Sequence, residues 1–225
     1  MGDDRIFDGK PVLQFSTNQG RRSFLKMAGL VGVGATYVVG GGLLNAPSAS
    51  AATIKSQARQ ELAAKKAGGD LDILNYALTL EYLEADFYNM GLAANLLSGR
   101  DLELVTPIED HEKQHVAAVA GTVKALGGTP VSKPKITYPS GTFGSKTQFL
   151  KTASMFEELG VTAYHGQVPL IQSLDVLAAA ASIAGVESRH AAILAQLTGG
   201  NSFPNPIEKH ATMATVLAAV KPLIG

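Results

Sequence analysis

The sequence predicts an all-α domain built as a four-helix bundle with one long crossover between its second and third helices. Three observations carry that reading. Four long segments place apolar residues at helical spacing, and glycine or proline breaks each of them from the next. The breaks run short, long, short, which is a known bundle connectivity. No stretch alternates with period two, apart from a brief run at Ile136–Tyr138. The 225 residues are enough for one domain with a substantial core, or two small ones.

The chain opens on what reads as an address, residues 1–51. An adjacent pair, Arg21 and Arg22, is followed by Ser23-Phe24-Leu25-Lys26 and then by an uncharged stretch, Met27 to Leu44. That stretch ends in small residues around Ala49-Ser50-Ala51, completing the three parts of a signal peptide. The arginine pair in this setting resembles a twin-arginine export signal. An apolar run of 18 residues is also at the lower limit for a membrane anchor, but its six glycines make it a poor helix. The expectation is therefore export, to the periplasm or beyond, with the twin-arginine translocase as partner and retention of the leader as the alternative.

Residues 52–69 hold a short helical pattern, Ile54–Ala67, closed by Gly68 and Gly69. Residues 70–200 form the predicted bundle. Asp70 or Asp72 can cap the first long helix, Leu71 to Leu97, which stops at Ser98-Gly99. The second runs from Asp101 to Leu126, with acidic first turns that suit the helix dipole, and stops at Gly127-Gly128. Residues 128–145 are rich in proline and glycine and form the crossover. The third helix spans Lys146 to about Val168 and fades at Pro169. Ser173 or Asp175 caps the fourth, Leu174 to Leu197, closed by Gly199-Gly200. Residues 201–225 are a tail with a short helix near Ile207–Val220.

Composition narrows the chemistry. Nineteen basic residues balance nineteen acidic ones, so no basic field points to nucleic acid. The absence of cysteine removes disulfides, thiolate metal sites and cysteine nucleophiles. Histidine, carboxylates, tyrosine and hydroxyls remain. Two helices carry Glu-x-x-His, Glu112…His115 and Glu187…His190, which puts both side chains on one face a turn apart. The other two carry a glutamate and, seven residues on, a tyrosine: Glu81…Tyr88 and Glu157…Tyr164. Glu81 to Glu112 spans 31 positions and Glu157 to Glu187 spans 30, so the pattern is an internal repeat. Measured from the turns, all four glutamates fall near one level of the bundle. Four carboxylates and two imidazoles can balance two divalent ions and leave positions open.

The stretches Leu74–Ala85, Asp110–His115, Glu157–Tyr164 and Glu187–Ala192 resemble the ferritin-like, desiccation-related family of exported bacterial proteins. That resemblance covers roughly residues 70–198. It implies that Glu81, Glu112, His115, Glu157, Glu187 and His190 ligate two divalent metal ions, iron first and manganese second. A site with those ligands is expected to oxidise Fe(II), or reduce O2 or peroxide, in oxidative or desiccation stress, and with manganese to disproportionate peroxide as a catalase does. A non-catalytic, stress-protective bundle with a silent or absent metal site is the alternative. The tail and the proline-rich crossover are unlike a storage cage, so a monomer or homodimer is expected.

Several residues carry a second reading. Glu84, one turn after Glu81, is a ligand, a residue behind the ligands or a surface group, and the second of these is preferred. Tyr88 and Tyr164 either hydrogen-bond the ligands or pack with satisfied hydroxyls. Glu158, with His165 seven residues on, competes with Glu157. His111-Glu112-Lys113-Gln114-His115 also fits the zinc-protease pattern His-Glu-x-x-His. A third zinc ligand is missing, however: Gly121 stands where the extended pattern needs histidine, and no carboxylate occurs from Lys113 to Phe156. Asp86 and His210 read as solvated, and Met90, Met155 and Met213 as core filler.

Overall fold

The computed structural model describes residues 69–225, so the expected leader and the short helix at 54–67 lie outside the described residues. Five helices follow in order: α1 (Asp70–Ala93), α2 (Gly99–Ala125), α3 (Lys146–Gln167), α4 (Leu174–Leu197) and α5 (Met213–Val220). The fold is all-α, and the first four helices form a bundle. α1 packs chiefly on α2 and α3 on α4, and the two hairpins meet through α1 with α3 and α2 with α4. None of the described helices is long and apolar enough to cross a membrane.

Contacts at the helix starts fix the directions. Asp70 accepts from the backbone N–H groups of Gln172 (2.8 Å) and Ser173 (2.7 Å), so α1 and α4 begin at one end. Lys146 pairs with Asp101 at 2.8 Å, so α2 and α3 begin at the other. The crossover therefore has to travel the length of the bundle. Asn75 pins it near the start of α1, accepting from the Val131 N–H (2.8 Å) and donating to the Thr129 carbonyl (3.3 Å). Farther along, the Tyr138 hydroxyl donates to the Leu83 carbonyl at 3.0 Å, and Lys133 pairs with Asp86.

Local chemistry explains the helix ends. Gly127, at φ 78°, closes α2 in a Schellman arrangement: its N–H donates to Lys124 and that of Gly128 to Val123. Ser173 caps α4 by accepting from the Val176 N–H. Two ends differ from the sequence expectation. α1 stops at Ala93 rather than Leu97, because Asn95 turns left-handed at φ 54°, a conformation asparagine tolerates. Leu97 is nonetheless buried in the core, which is why the apolar pattern outlasts the helix. The terminal helix starts at Met213 rather than near Ile207. The Ala211 N–H donates to the Thr162 carbonyl on α3, holding the chain flat against that helix until Thr212 caps α5.

The core comprises two apolar clusters. One centres on Phe87, Tyr88, Phe149 and Phe156; the Phe87 and Phe149 rings stack with centroids 5.1 Å apart. The other holds Ile73, Leu78, Val123, Tyr164 and Val176. Each fully buried Phe or Leu contributes about 1.5–3 kcal/mol. Every bundle helix contributes to both clusters, and each carries a buried glutamate along the way. Met90 and Met155 are 44 % and 69 % exposed, so they are surface residues and not core filler; Met213 packs partly against both clusters.

Candidate metal centre

Helical periodicity should send a glutamate that falls on an apolar helix face into the core, and it does so four times. Glu81, Glu112, Glu157 and Glu187 are all 0 % exposed, His190 is 4 % exposed and His115 is 8 % exposed. Glu158 is exposed and His165 bonds the Val161 carbonyl at 2.8 Å, so burial separates Glu157 from its competitor.

The six side chains converge. His115 Nδ1 lies 3.1 Å from Glu187 Oε1, 3.2 Å from Glu112 Oε2 and 3.3 Å from Glu81 Oε2. His190 Nδ1 lies 3.0 Å from Glu112 Oε1 and 3.3 Å from Glu157 Oε2. Two groups result: Glu81, Glu112, His115 and Glu187, and Glu112, Glu157, Glu187 and His190. In each, one potential ligand atom per residue lies within 4.8 Å of the others, and Glu112 and Glu187 belong to both.

The tyrosines brace this layer crosswise. Tyr88 of α1 donates to Glu157 Oε1 of α3 at 2.5 Å, and Tyr164 of α3 donates to Glu81 Oε1 of α1. Glu84 is buried at 4 % exposure, on the same side as the gap left by Gly160. A Cβ at Gly160 would stand 2.9 Å from Glu187 Oε2 and 3.0 Å from Glu84 Oε1. Asp86, expected in solvent, is instead partly covered and engaged by Lys133 and Tyr138. His210 is exposed, in the segment before α5.

The electrostatics follow from crowding like charges in a dry layer. Burial pushes Glu81 up to about 8, against the opposing hydrogen bond from His115. Burial also raises Glu84, Glu157 and Glu187, with neighbouring carboxylates adding to it. Burial alone would raise Glu112 as well, but hydrogen bonds from His115 and His190 outweigh it and hold the carboxyl at about 2. For the imidazoles, burial works downward. Hydrogen bonds to the carboxylates overcome it and lift His115 to about 12 and His190 to about 10.

The donor set fits a divalent cation pair. Glu81 Oε2, Glu112 Oε1, Glu157 Oε2, both oxygens of Glu187 and His190 Nδ1 are buried, and none of them makes a well-aimed hydrogen bond. Several lie within 3.0–3.3 Å of an imidazole nitrogen. A single N–H on His115 Nδ1 cannot be aimed at three carboxylates at once, whereas an ion among them can be reached by all. Carboxylate oxygen and imidazole nitrogen suit iron and manganese alike.

His111 lies outside both groups. It is exposed, its Nδ1 is 2.9 Å from His190 Nε2, and the two rings lie edge to edge, 13° from coplanar with centroids 5.2 Å apart. Partial desolvation of its ring, followed by the positive charges of His190 and His115, holds it below the usual histidine range. In the zinc-protease pattern His111 and His115 would grip one ion together, but His111 turns to α4 instead. The sharing of Glu112 and Glu187 and the contact of His111 with His190 both depend on how the hairpins dock, and the heptad spacing of glutamate and tyrosine was the nearest signal in the sequence.

No curated protein matches the chain. The profile of the ferritin-like domain matches residues 69–200, which is the described bundle from its first residue to the close of α4. With that match over more than half its length, the chain belongs to the ferritin-like domain family.

Proposed function

We propose that this is an exported di-metal carboxylate protein that binds two iron ions and oxidises Fe(II) at the expense of O2 or peroxide, with manganese as the competing metal. The observation that carries the reading is the pair of buried four-residue groups sharing Glu112 and Glu187. Glu81 and His115 would complete one ion's surroundings, and Glu157 and His190 the other's. When bound, the pair would supply redox chemistry: two Fe(II) becoming Fe(III) deliver the two electrons that, with two protons, turn one peroxide into two waters.

The chain's own residues have definable parts in this. Glu112 and Glu187 hold the two positions together. Tyr88 and Tyr164 fix the outer carboxylates by bonding the oxygens Glu157 Oε1 and Glu81 Oε1. The two apolar clusters exclude water above and below the layer. Glu84, beside Gly160, has its carboxyl raised by burial and then by the charge of Glu187. Export rests on Arg21, Arg22 and the apolar stretch after them, and a role in desiccation or oxidative stress rests on the motif resemblance.

The test is metal content of the purified protein, with Glu112→Ala and His190→Ala beside it, followed by peroxide and O2 consumption. The reading expects two ions per chain, one for each group, loss of metal in both variants, and oxidant consumption by the loaded protein alone. Two ions without turnover would leave a non-catalytic, metal-stabilised bundle. No ion after anaerobic Fe(II) loading would refute the reading.

A further inference from the structure

The repeat makes the two halves of the candidate centre near copies: a glutamate braced by a tyrosine, a Glu-x-x-His and two shared carboxylates on each side. One feature breaks the symmetry. His115 makes its polar contacts through Nδ1, and no hydrogen bond to its Nε2 is found among the described residues. His190 also points Nδ1 at the carboxylates, yet its Nε2 meets His111 Nδ1 at 2.9 Å. The position that corresponds to His111 in the second half is Val186, immediately before Glu187, and valine offers no acceptor.

We propose that His111 is the positioning residue of the His190 half: its Nδ1 accepts the Nε2–H of His190, holding that ring with Nδ1 toward the metal and making the two metal positions unequal. The assignment rests on the di-metal reading above. An imidazole that gives one nitrogen to a metal keeps its hydrogen on the other, and a fixed acceptor there sets both tautomer and ring angle. The ring planes of His111 and His190 lie 13° apart with centroids 5.2 Å apart and the two nitrogens at 2.9 Å, so the rings meet edge to edge and the in-plane lone pair of Nδ1 faces His190. His111 is exposed while His190 is 4 % exposed, so the bond joins a buried ligand to the protein surface.

The experiment compares full-length wild type with His111→Phe, which keeps a ring and loses the acceptor, and His111→Asn, whose amide oxygen can take the place of Nδ1. Anaerobic Fe(II) calorimetry reads the two binding steps, and histidine-ring NMR of Zn(II)-loaded protein reads the Nε2–H of His190. His111→Phe should weaken one step by roughly 10–100-fold and leave the other within about threefold, with His111→Asn restoring most of the loss. The hydrogen-bonded Nε2–H resonance should vanish in the Phe variant and return in the Asn variant. Two ions bound by wild type with both steps unchanged in His111→Phe, or equally weakened, would overturn the assignment and leave the di-metal reading standing. A wild-type protein that takes no ion would sink both together, and the stoichiometry distinguishes that case.

Discussion

Gly160 separates what the bundle needs from what the centre needs. It lies inside α3, where alanine would ordinarily stabilise the helix by about 0.8–1 kcal/mol. The added Cβ would stand 2.9 Å from Glu187 Oε2 and 3.0 Å from Glu84 Oε1. Both oxygens would have to retreat by roughly half an ångström for ordinary contact. Without metal, these are the free ends of rotatable side chains, and that shift offsets much of the helical gain. Gly160→Ala should then unfold in urea, with chelator present, within about 1 kcal/mol of wild type. With metal the same shift is large, because a ligand oxygen belongs within about 0.2 Å of its place. Affinity for Fe(II) or Mn(II) by anaerobic calorimetry should fall about 10–100-fold, which is about 1.4–2.8 kcal/mol. Gly91→Ala is the control: its Cβ would stand 2.0 Å from the Phe149 ring, which cannot swing aside, so stability should drop by about 1–3 kcal/mol. If Gly160→Ala binds metal as tightly as wild type, or loses as much metal-free stability as Gly91→Ala, this reasoning is refuted.

Two further expectations follow from the same layer. Tyr88→Phe removes the donor to Glu157, and Tyr164→Phe the donor to Glu81. Each should cost about 1.5–3 kcal/mol in chemical denaturation and, given the repeat, by similar amounts; a change below about 0.5 kcal/mol in both would show that the hydroxyls merely fill space. Metal-free stability should also depend on pH with a definite sign. Glu81, raised from 4.5 to about 8, and His190, raised from 6.5 to about 10, bind more protons folded than unfolded. Their contribution is complete below those unfolded values and is lost as pH climbs through the folded ones. Glu112, held at about 2, works the other way: its contribution is complete above 4.5 and lost as pH falls through 2. Thermal melts with chelator should thus peak in mild acid and decline towards alkaline pH, whereas added metal, which displaces those protons, should raise the melting temperature more as pH rises. A metal-free melting temperature that climbs from pH 6 to 9 would contradict the sign.

The layer's glutamates were legible in the sequence because helical spacing is local. Glu81 among Ala77, Leu78 and Leu83 declares a polar group on a core face before any helix is docked. The same locality let Gly127-Gly128 and Ser173 mark helix ends to within a residue or two. What needed the docked hairpins was everything that passes between helices. Seven-residue spacing put Tyr88 on the face of Glu81, but its hydroxyl reaches Glu157 on another helix. Glu84 was open between three readings until α3 brought Gly160 beside it. His111 offered only a local pattern, and the local pattern pointed to the wrong partner. Ile207 to Thr212 carried helical periodicity, yet one backbone bond from Ala211 to α3 decided otherwise.

The division of the two groups between hairpins has a mechanical consequence. Glu81, Glu112 and His115 come from the first hairpin and are completed by Glu187 from the second; Glu157, Glu187 and His190 come from the second and are completed by Glu112 from the first. Each hairpin thus lends the other one carboxylate. An ion held by either group would staple together the two hairpins, joining residues 45 positions apart (Glu112 and Glu157) or more, in a chain that has no cysteine with which to do so. Such a clasp restricts the unfolded chain as a cross-link does, most strongly where the closed loop is long. Loaded protein should therefore part its hairpins only as fast as it surrenders its metal, so that resistance to drying, heat or protease becomes a matter of ion release and not of helix strength.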